Sequence, residues 1–139
     1  MSFLVAAISI TSSAYATSAN FTIYNSNSQN SGIVKAFSTI GTTNQQIVGV
    51  TATSTLSYDS LQVDLSSAEV YISAFKNGSF YGDISGTKVA SNGAQANASL
   101  TMGTFDGVQS HYTAATTHYT YRKDGIKTGY GTLNPTWIN

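Results

Sequence analysis

The chain is predicted to fold as an all-β protein: an antiparallel two-sheet sandwich or jelly-roll-like domain ending in a C-terminal β-meander over residues 68–138. Three observations carry the prediction. Thr, Tyr, Val, Ile and Phe, which suit a pleated half-buried surface, are abundant, whereas the helix formers Leu, Glu and Lys are scarce. Four Asx-Gly pairs punctuate the second half at nearly regular intervals: Asn77-Gly78, Asn92-Gly93, Asp106-Gly107 and Asp124-Gly125. Each supplies two residues that tolerate the positive φ of a type I′ hairpin turn. Between these turns, apolar and polar residues alternate with the period of a half-buried strand.

In chain order, residues 1–16 carry two readings. Phe3 to Ile10 is apolar enough for the central region of an export signal, and Ala14-Tyr15-Ala16 offers small residues for cleavage after Ala16. This leader resembles those of small exported bacterial proteins, although no Lys or Arg follows Met1, as though the start were truncated. The competing reading makes residues 3–10 an N-terminal strand of the fold. Residues 17–139 then form one β-domain, long enough to bury a single core.

Candidate strands follow at Ala19–Tyr24, Gly32–Ile40, Gln46–Ser57 and Gln62–Leu65, the last with Leu61, Val63 and Leu65 aligned. The run from Asn25 to Gly32 is a polar loop with no apolar anchor, expected to be exposed and mobile. No segment pairs helical periodicity with caps, and Ser66–Phe75 is the only stretch compatible with a helix. Its alternation of Val70, Ile72 and Ala74 with Tyr71, Ser73 and Phe75 equally suits a strand in the middle of a sandwich. Ala94, Ala96, Ala98, Leu100 and Met102 define one face of a further strand. Between Val108 and Lys123 the large residues change phase, from Val108, Tyr112 and Ala114 to Tyr119 and Tyr121. A β-bulge near Ala114-Ala115 would absorb that slip.

Composition excludes several classes of function. Six basic and six acidic residues make up only 9% of the chain, which leaves no electrostatic footprint for nucleic acid and no polybasic face for anionic lipid. The apolar N-terminal run is about half the length of a membrane-spanning helix, so no transmembrane segment is expected. Nine Tyr, six Phe and one Trp argue against disorder. Ser and Thr exceed a quarter of the residues and supply solubility without charge, as suits an extracellular surface. Cysteine is absent, which removes disulfides, thiolate metal sites and thiol catalysis together.

Residues fit for chemistry are scattered. His111 and His118 stand an odd number of positions apart on one strand, hence on opposite faces unless the bulge intervenes, and roughly 20 Å apart along it. Neither a metal site nor a cofactor site is expected. Glu69 and Asp83 come together across the Asn77-Gly78 turn only as a repelling pair. No Gly-x-Ser-x-Gly elbow or phosphate-binding loop is present, so an enzyme is not expected.

Residues fit for recognition are plentiful. Tyr112, Tyr119, Tyr121, Tyr130 and Trp137 gather in the last strands, where flat rings beside amides and hydroxyls suit a sugar-binding face, although the same residues are good strand formers. Arg122, Lys123 and Lys127 put half of the basic residues at one hairpin tip, a solvated turn or a contact for an anionic wall polymer. Three sequons, at Asn20, Asn77 and Asn97, are no more than such a composition produces by chance. The resulting expectation is a secreted, non-catalytic extracellular or cell-surface domain. Its partner is a carbohydrate or cell-surface polymer, or itself, through an apolar N-terminal strand that adds to a neighbour's sheet and builds a filament. The alternative is a small secreted membrane-active or antibacterial protein, which the zero net charge disfavours.

Overall fold

Every element in the structure, a computed structural model describing residues 12–43, 46–105 and 110–138, is a strand. The strands are β1 (Ser12–Tyr24), β2 (Asn30–Thr42), β3 (Ile47–Tyr58), β4 (Leu65–Lys76), β5 (Ser79–Val89), β6 (Gln95–Thr104), β7 (His111–Arg122), β8 (Lys127–Leu133) and β9 (Thr136–Ile138). They form two antiparallel sheets. The first, here sheet A, has the order β1-β2-β3-β6. The second, sheet B, has the order β5-β4-β7-β8, with β9 pairing the end of β7 that β8 leaves free. Residues 3–10, the segment of the leader and strand-addition readings, lie outside the described residues, as do Asp106, Gly107 and Val108. The proposed cleavage point after Ala16 lies within β1, where Tyr15 and Ala16 pair Ile40 and Thr39.

The two-sheet class stands, and the C-terminal meander is corrected. Within residues 68–138 the hairpins are β4–β5 and β7–β8, and β6 leaves sheet B altogether to pair β3; the run of consecutive hairpins is instead β1-β2-β3 in sheet A. The turns differ, but packing decides. Asn77 and Gly78 both have positive φ (51° and 81°), the type I′ geometry that returns a strand along its neighbour. At Asn92-Gly93 only the glycine does (86°), and the same holds at Asp124-Gly125 (85°), which does join a hairpin. The Asn92-Gly93 turn hands the chain to the other sheet: Gly93 N donates to the Leu56 carbonyl (2.8 Å) and Leu56 N to the Ala94 carbonyl (2.9 Å). Apolar area supplies the drive, since Ala96, Ala98 and Met102 on β6 are buried between the sheets. Where β5 then passes β6, a Cβ on Gly86 would lie 1.9 Å from the Asn97 carbonyl oxygen, so only glycine permits the approach.

Smaller expectations change for equally local reasons. Ser66–Phe75 is strand, part of β4, because its inward phase of Ala68, Val70, Ile72 and Ala74 is fully buried. Gln62–Leu65 is not a separate strand: Asp59 closes a turn there, accepting from Leu61 N (2.9 Å) on its side chain and from Gln62 N (3.0 Å) on its carbonyl, and Leu61 is left 95% exposed. The Asn25–Gly32 loop does have an anchor, a polar one. Asn25 is buried, and its Oδ1 accepts from Asn27 N (2.9 Å) and Gln29 N (3.0 Å).

The bulge lies in the partner of the strand expected to carry it. β7 alternates without interruption, with Tyr112, Ala114, Thr116, His118 and Thr120 all inward. Its ladder with β8 slips between His118 and Thr120, where β8 inserts Gly129 with φ +61°. The core between the sheets joins Ile23, Val34, Ile40, Val48, Val50, Leu56 and Met102 of sheet A to Val70 and Ile72 of sheet B around a belt of alanines. A polar layer of Ser54, Thr116, His118 and Thr120 crosses it, each residue 0% exposed.

Candidate functional site

The outward phase of sheet B gathers several aromatic residues that the core does not use; others, Tyr15, Tyr24 and Phe37, stand on sheet A. Tyr119 and Tyr121 stand two apart on β7, share its outer face, and meet edge to face at 5.6 Å. Lys127 pairs Tyr121 across the β7–β8 ladder. In an uninterrupted strand Tyr130 would then point inward; the extra residue at Gly129 turns it out, and it is 57% exposed. The Lys127 ammonium therefore sits among three rings, 4.3 Å from the centroid of Tyr119, 5.2 Å from Tyr130 and 5.8 Å from Tyr121. Four of the residues singled out in the sequence thus converge at one place.

The other four do not join them. Tyr112 and Trp137 are buried (1% and 8% exposed), because both occupy the inward phase of the β7–β9 pair. They face one another across it and stack at 5.4 Å, with Phe105 packed on Trp137 at 6.0 Å. They close one end of the core and offer no face to a ligand. Arg122 and Lys123 are engaged elsewhere. Arg122 grips Asp124 (Nη2 to Oδ2 2.8 Å) and donates to the Asn25 carbonyl (3.0 Å), and Lys123 pairs Asp64 at 3.2 Å. The Asp124 carboxyl is held below its usual range, chiefly by the hydrogen bond from Arg122. Among the described residues, no carboxylate forms an ion pair with Lys127.

Neighbouring residues complete the face. Glu69 on β4 lies directly across from Tyr119 and accepts from Ser67 Oγ (3.1 Å). Burial, then the Glu69 charge, then Tyr121 raise the Tyr119 phenol above its ordinary range, so it remains a donor at neutral pH. Tyr71, the next outward residue of β4, donates to Asp83 Oδ2 (2.5 Å), and that bond is the main cause of its own raised pKa. Glu69 and Asp83 are separated along the hairpin, since Glu69 pairs Thr87 and Asp83 pairs Ser73. Sequence reading weighed Glu69 only as a repelling partner of Asp83 and passed over Tyr71, although both lie in the outward phase of β4, opposite in face to Val70 and Ile72. Beyond the sheet edge, Lys127 and Tyr130 also border an open cleft of about 340 Å³ between β1 and β8, walled by Phe21 and Tyr24.

The two histidines fall on opposite faces. His111 is exposed, whereas His118 is 0% exposed and joins the sheets. Ser54 Oγ on β3 donates to the Glu69 carbonyl (2.8 Å), which leaves it to accept from His118 Nδ1–H (2.9 Å), and Nε2 accepts from Thr116 Oγ1 (2.8 Å). Burial lowers the His118 pKa to about 4, against the opposing effect of a backbone hydrogen bond with Thr53, so the ring is neutral at physiological pH. Ser54 and Thr116 are as buried as the imidazole, and a hydroxyl beside a histidine here is a packing device without access for a substrate. Among the described residues, no group of three His, Asp or Glu side chains is arranged to hold a metal ion, and no helix is long and apolar enough to cross a membrane.

No protein-family model matches the chain, and no curated protein matches its sequence. Among solved structures it is similar to a crystal structure of collagen adhesin (CNA) from S. aureus, over 91% of this chain and 77% of that one, at 8% identity and a TM-score of 0.30. A likeness at that level carries no functional argument; the chain is a β-sandwich on its own strand order.

Proposed function

We propose that the protein is a secreted, non-catalytic β-sandwich that binds a carbohydrate chain across the outer face of sheet B. One observation carries the reading: Tyr119, Tyr121 and Tyr130 converge around Lys127 on an open face, and a bulge with a left-handed glycine serves to turn the third ring outward. Rings left outside a core contribute little to folding. Beside the hydroxyls of neighbouring strands, such as Ser67 and Thr117, they offer stacking area with polar edges. The open face suits the interior of a polymer better than a small molecule, which binding sites usually enclose in a concave pocket. The test is affinity electrophoresis of the wild type and of Tyr119→Ala/Tyr121→Ala in gels containing a panel of soluble polysaccharides. Retardation of the wild type by at least one polymer, lost in the double variant with its circular dichroism unchanged, is the expected result. Equal retardation of both proteins would sink the proposal.

Self-association by strand addition is the second reading, and the edge strand β1 favours it. Natural edges are defended by charge, proline or bulges. The thirteen residues of β1 include no charged residue and no proline, and between the irregularities at Ser12/Tyr15 and Ile23/Tyr24 its ladder with β2 runs without a bulge. If the edge is used, sedimentation velocity shows concentration-dependent oligomers that Ser18→Lys abolishes; a monomer at all concentrations rejects it.

A further inference from the structure

The chemistry around Lys127 also selects among polysaccharides, an inference that rests on the carbohydrate reading above. Three π faces already surround a cation, and that cation is tethered to the same sheet. An external cation would have to displace a group whose effective concentration the backbone keeps high, so a cationic ligand is disfavoured. An anion would instead add to the arrangement. The Lys127 ammonium is exposed, forms no ion pair with any carboxylate among the described residues, and is balanced only by ring quadrupoles. The other two basic residues of the hairpin, by contrast, are engaged with Asp124 and Asp64.

We infer that the face binds an acidic polysaccharide, a chain of sugar rings carrying one negative charge at a time, whose anionic group meets Lys127 while adjacent rings lie on Tyr121 and Tyr130. Tyr119 holds the ammonium from beneath and is a positioning residue for it. Glu69, directly across from Tyr119, sets the other limit. Its carboxylate repels multiply charged sugar residues, so the face takes chains with one monoanionic group per sugar in preference to multiply sulfated ones. The anionic group is a carboxylate or a phosphodiester, both monoanions that a lysine meets as a point charge.

The experiment measures binding of the full chain to immobilised polygalacturonate, to its methyl-esterified and therefore neutral form, and to poly(N-acetylglucosamine 1-phosphate), whose rings are joined by phosphodiesters. Each polymer is tested against the wild type, Lys127→Gln, Lys127→Arg and Tyr121→Ala. The expected result is wild-type binding to polygalacturonate or to the phosphodiester-linked polymer at least about tenfold tighter than to the ester. Lys127→Gln removes that preference, Lys127→Arg keeps it, and Tyr121→Ala weakens acidic and neutral chains alike. Added salt weakens the wild type and leaves Lys127→Gln unchanged. The polymer that binds identifies the anion. If Lys127→Gln retains the preference, or if the ester binds as well as the acid, the inference is overturned while the carbohydrate reading stands. If none of the polymers binds, the inference is overturned, and the wider panel above decides the carbohydrate reading separately.

Discussion

The two outer faces of the sandwich are made by the same strand alternation and hold different chemistry. On sheet A the outward positions of β3 are Thr51, Thr53, Thr55 and Ser57. They are flanked by Thr39 and Phe37 on β2 and by Ser99, Asn97 and Gln95 on β6. That face is a lattice of hydroxyls and amides, locally self-satisfied as in the Thr39–Thr51 contact of 2.5 Å, with Lys35 as the one charge on these three strands. On sheet B the equivalent positions bring together Glu69, Tyr71, Tyr119, Tyr121 and Lys127, large and charged groups partnered to each other. A Ser/Thr face keeps a sheet soluble at low cost in side-chain entropy. Exposed rings occur on sheet A too, at Phe37, Tyr15 and Tyr24, but there they stand apart; on sheet B three rings gather around one ammonium, and that asymmetry points to use.

Three measurements break or sharpen this contrast. The largest effect belongs to the layer between the faces. His118 has a folded pKa near 4 against 6.5 when unfolded, so between those values the unfolded chain binds the extra proton. Its contribution is complete above about pH 6.5, declines as pH falls, and has gone once pH passes below 4. The loss is on the order of 3 kcal/mol. Urea denaturation at pH 7 and pH 4.5 should show a larger drop for the wild type than for His118→Leu, since the carboxylates titrate in both and cancel. Equal drops would mean that the imidazole is solvated. An intermediate effect is expected on the sheet B face, where Tyr119→Ala should lower stability by about 1 kcal/mol or less through lost cross-strand contacts while the binding defect is far larger. A stability loss above about 3 kcal/mol in thermal denaturation would make Tyr119 a packing residue. The smallest belongs to sheet A. Thr53→Ala with Asn97→Ala should change stability by no more than about 0.5 kcal/mol and leave polysaccharide binding untouched; a binding defect there would move the site to the other face.

Much of this architecture was legible in the residues. Alternation placed β6 and the strand character of β4, and Asn77-Gly78 and Asp124-Gly125 marked the two hairpins of sheet B. What alternation cannot reveal is partnership. Asn92-Gly93 supplies the same dipeptide as Asn77-Gly78, yet it turns a corner between sheets, because the destination of the next strand depends on where its alanines find cover. The candidate site was half legible for a related reason. On β7 the inward residues Thr116, His118 and Thr120 are small or polar, and the outward ones are two tyrosines, so ranking residues by apolar bulk assigns the phase backwards. A bulge was then expected in β7 to reconcile Tyr112 with Tyr119, when the irregularity belongs to β8.

Gly129 also determines which changes in length this surface tolerates. Between Lys127 and Gly131 the ladder keeps its faces by counting residues, and the count includes one that pairs with nothing. Remove Gly129 and the alternation becomes regular: Lys127 and Tyr130 both stay outward, Tyr130 falls directly opposite Tyr119, and Gly131 keeps its inward place beneath the Phe21 ring. The bulge therefore sets the local twist and spacing of the rings, whereas the paired residues on either side of it set the faces. In the Asn25–Ser31 loop, insertions meet a side-chain-capped turn that is also held by Arg122 and Asp59. A lineage of such proteins could therefore vary by the one unpaired residue of β8 while the number of its paired residues stayed fixed.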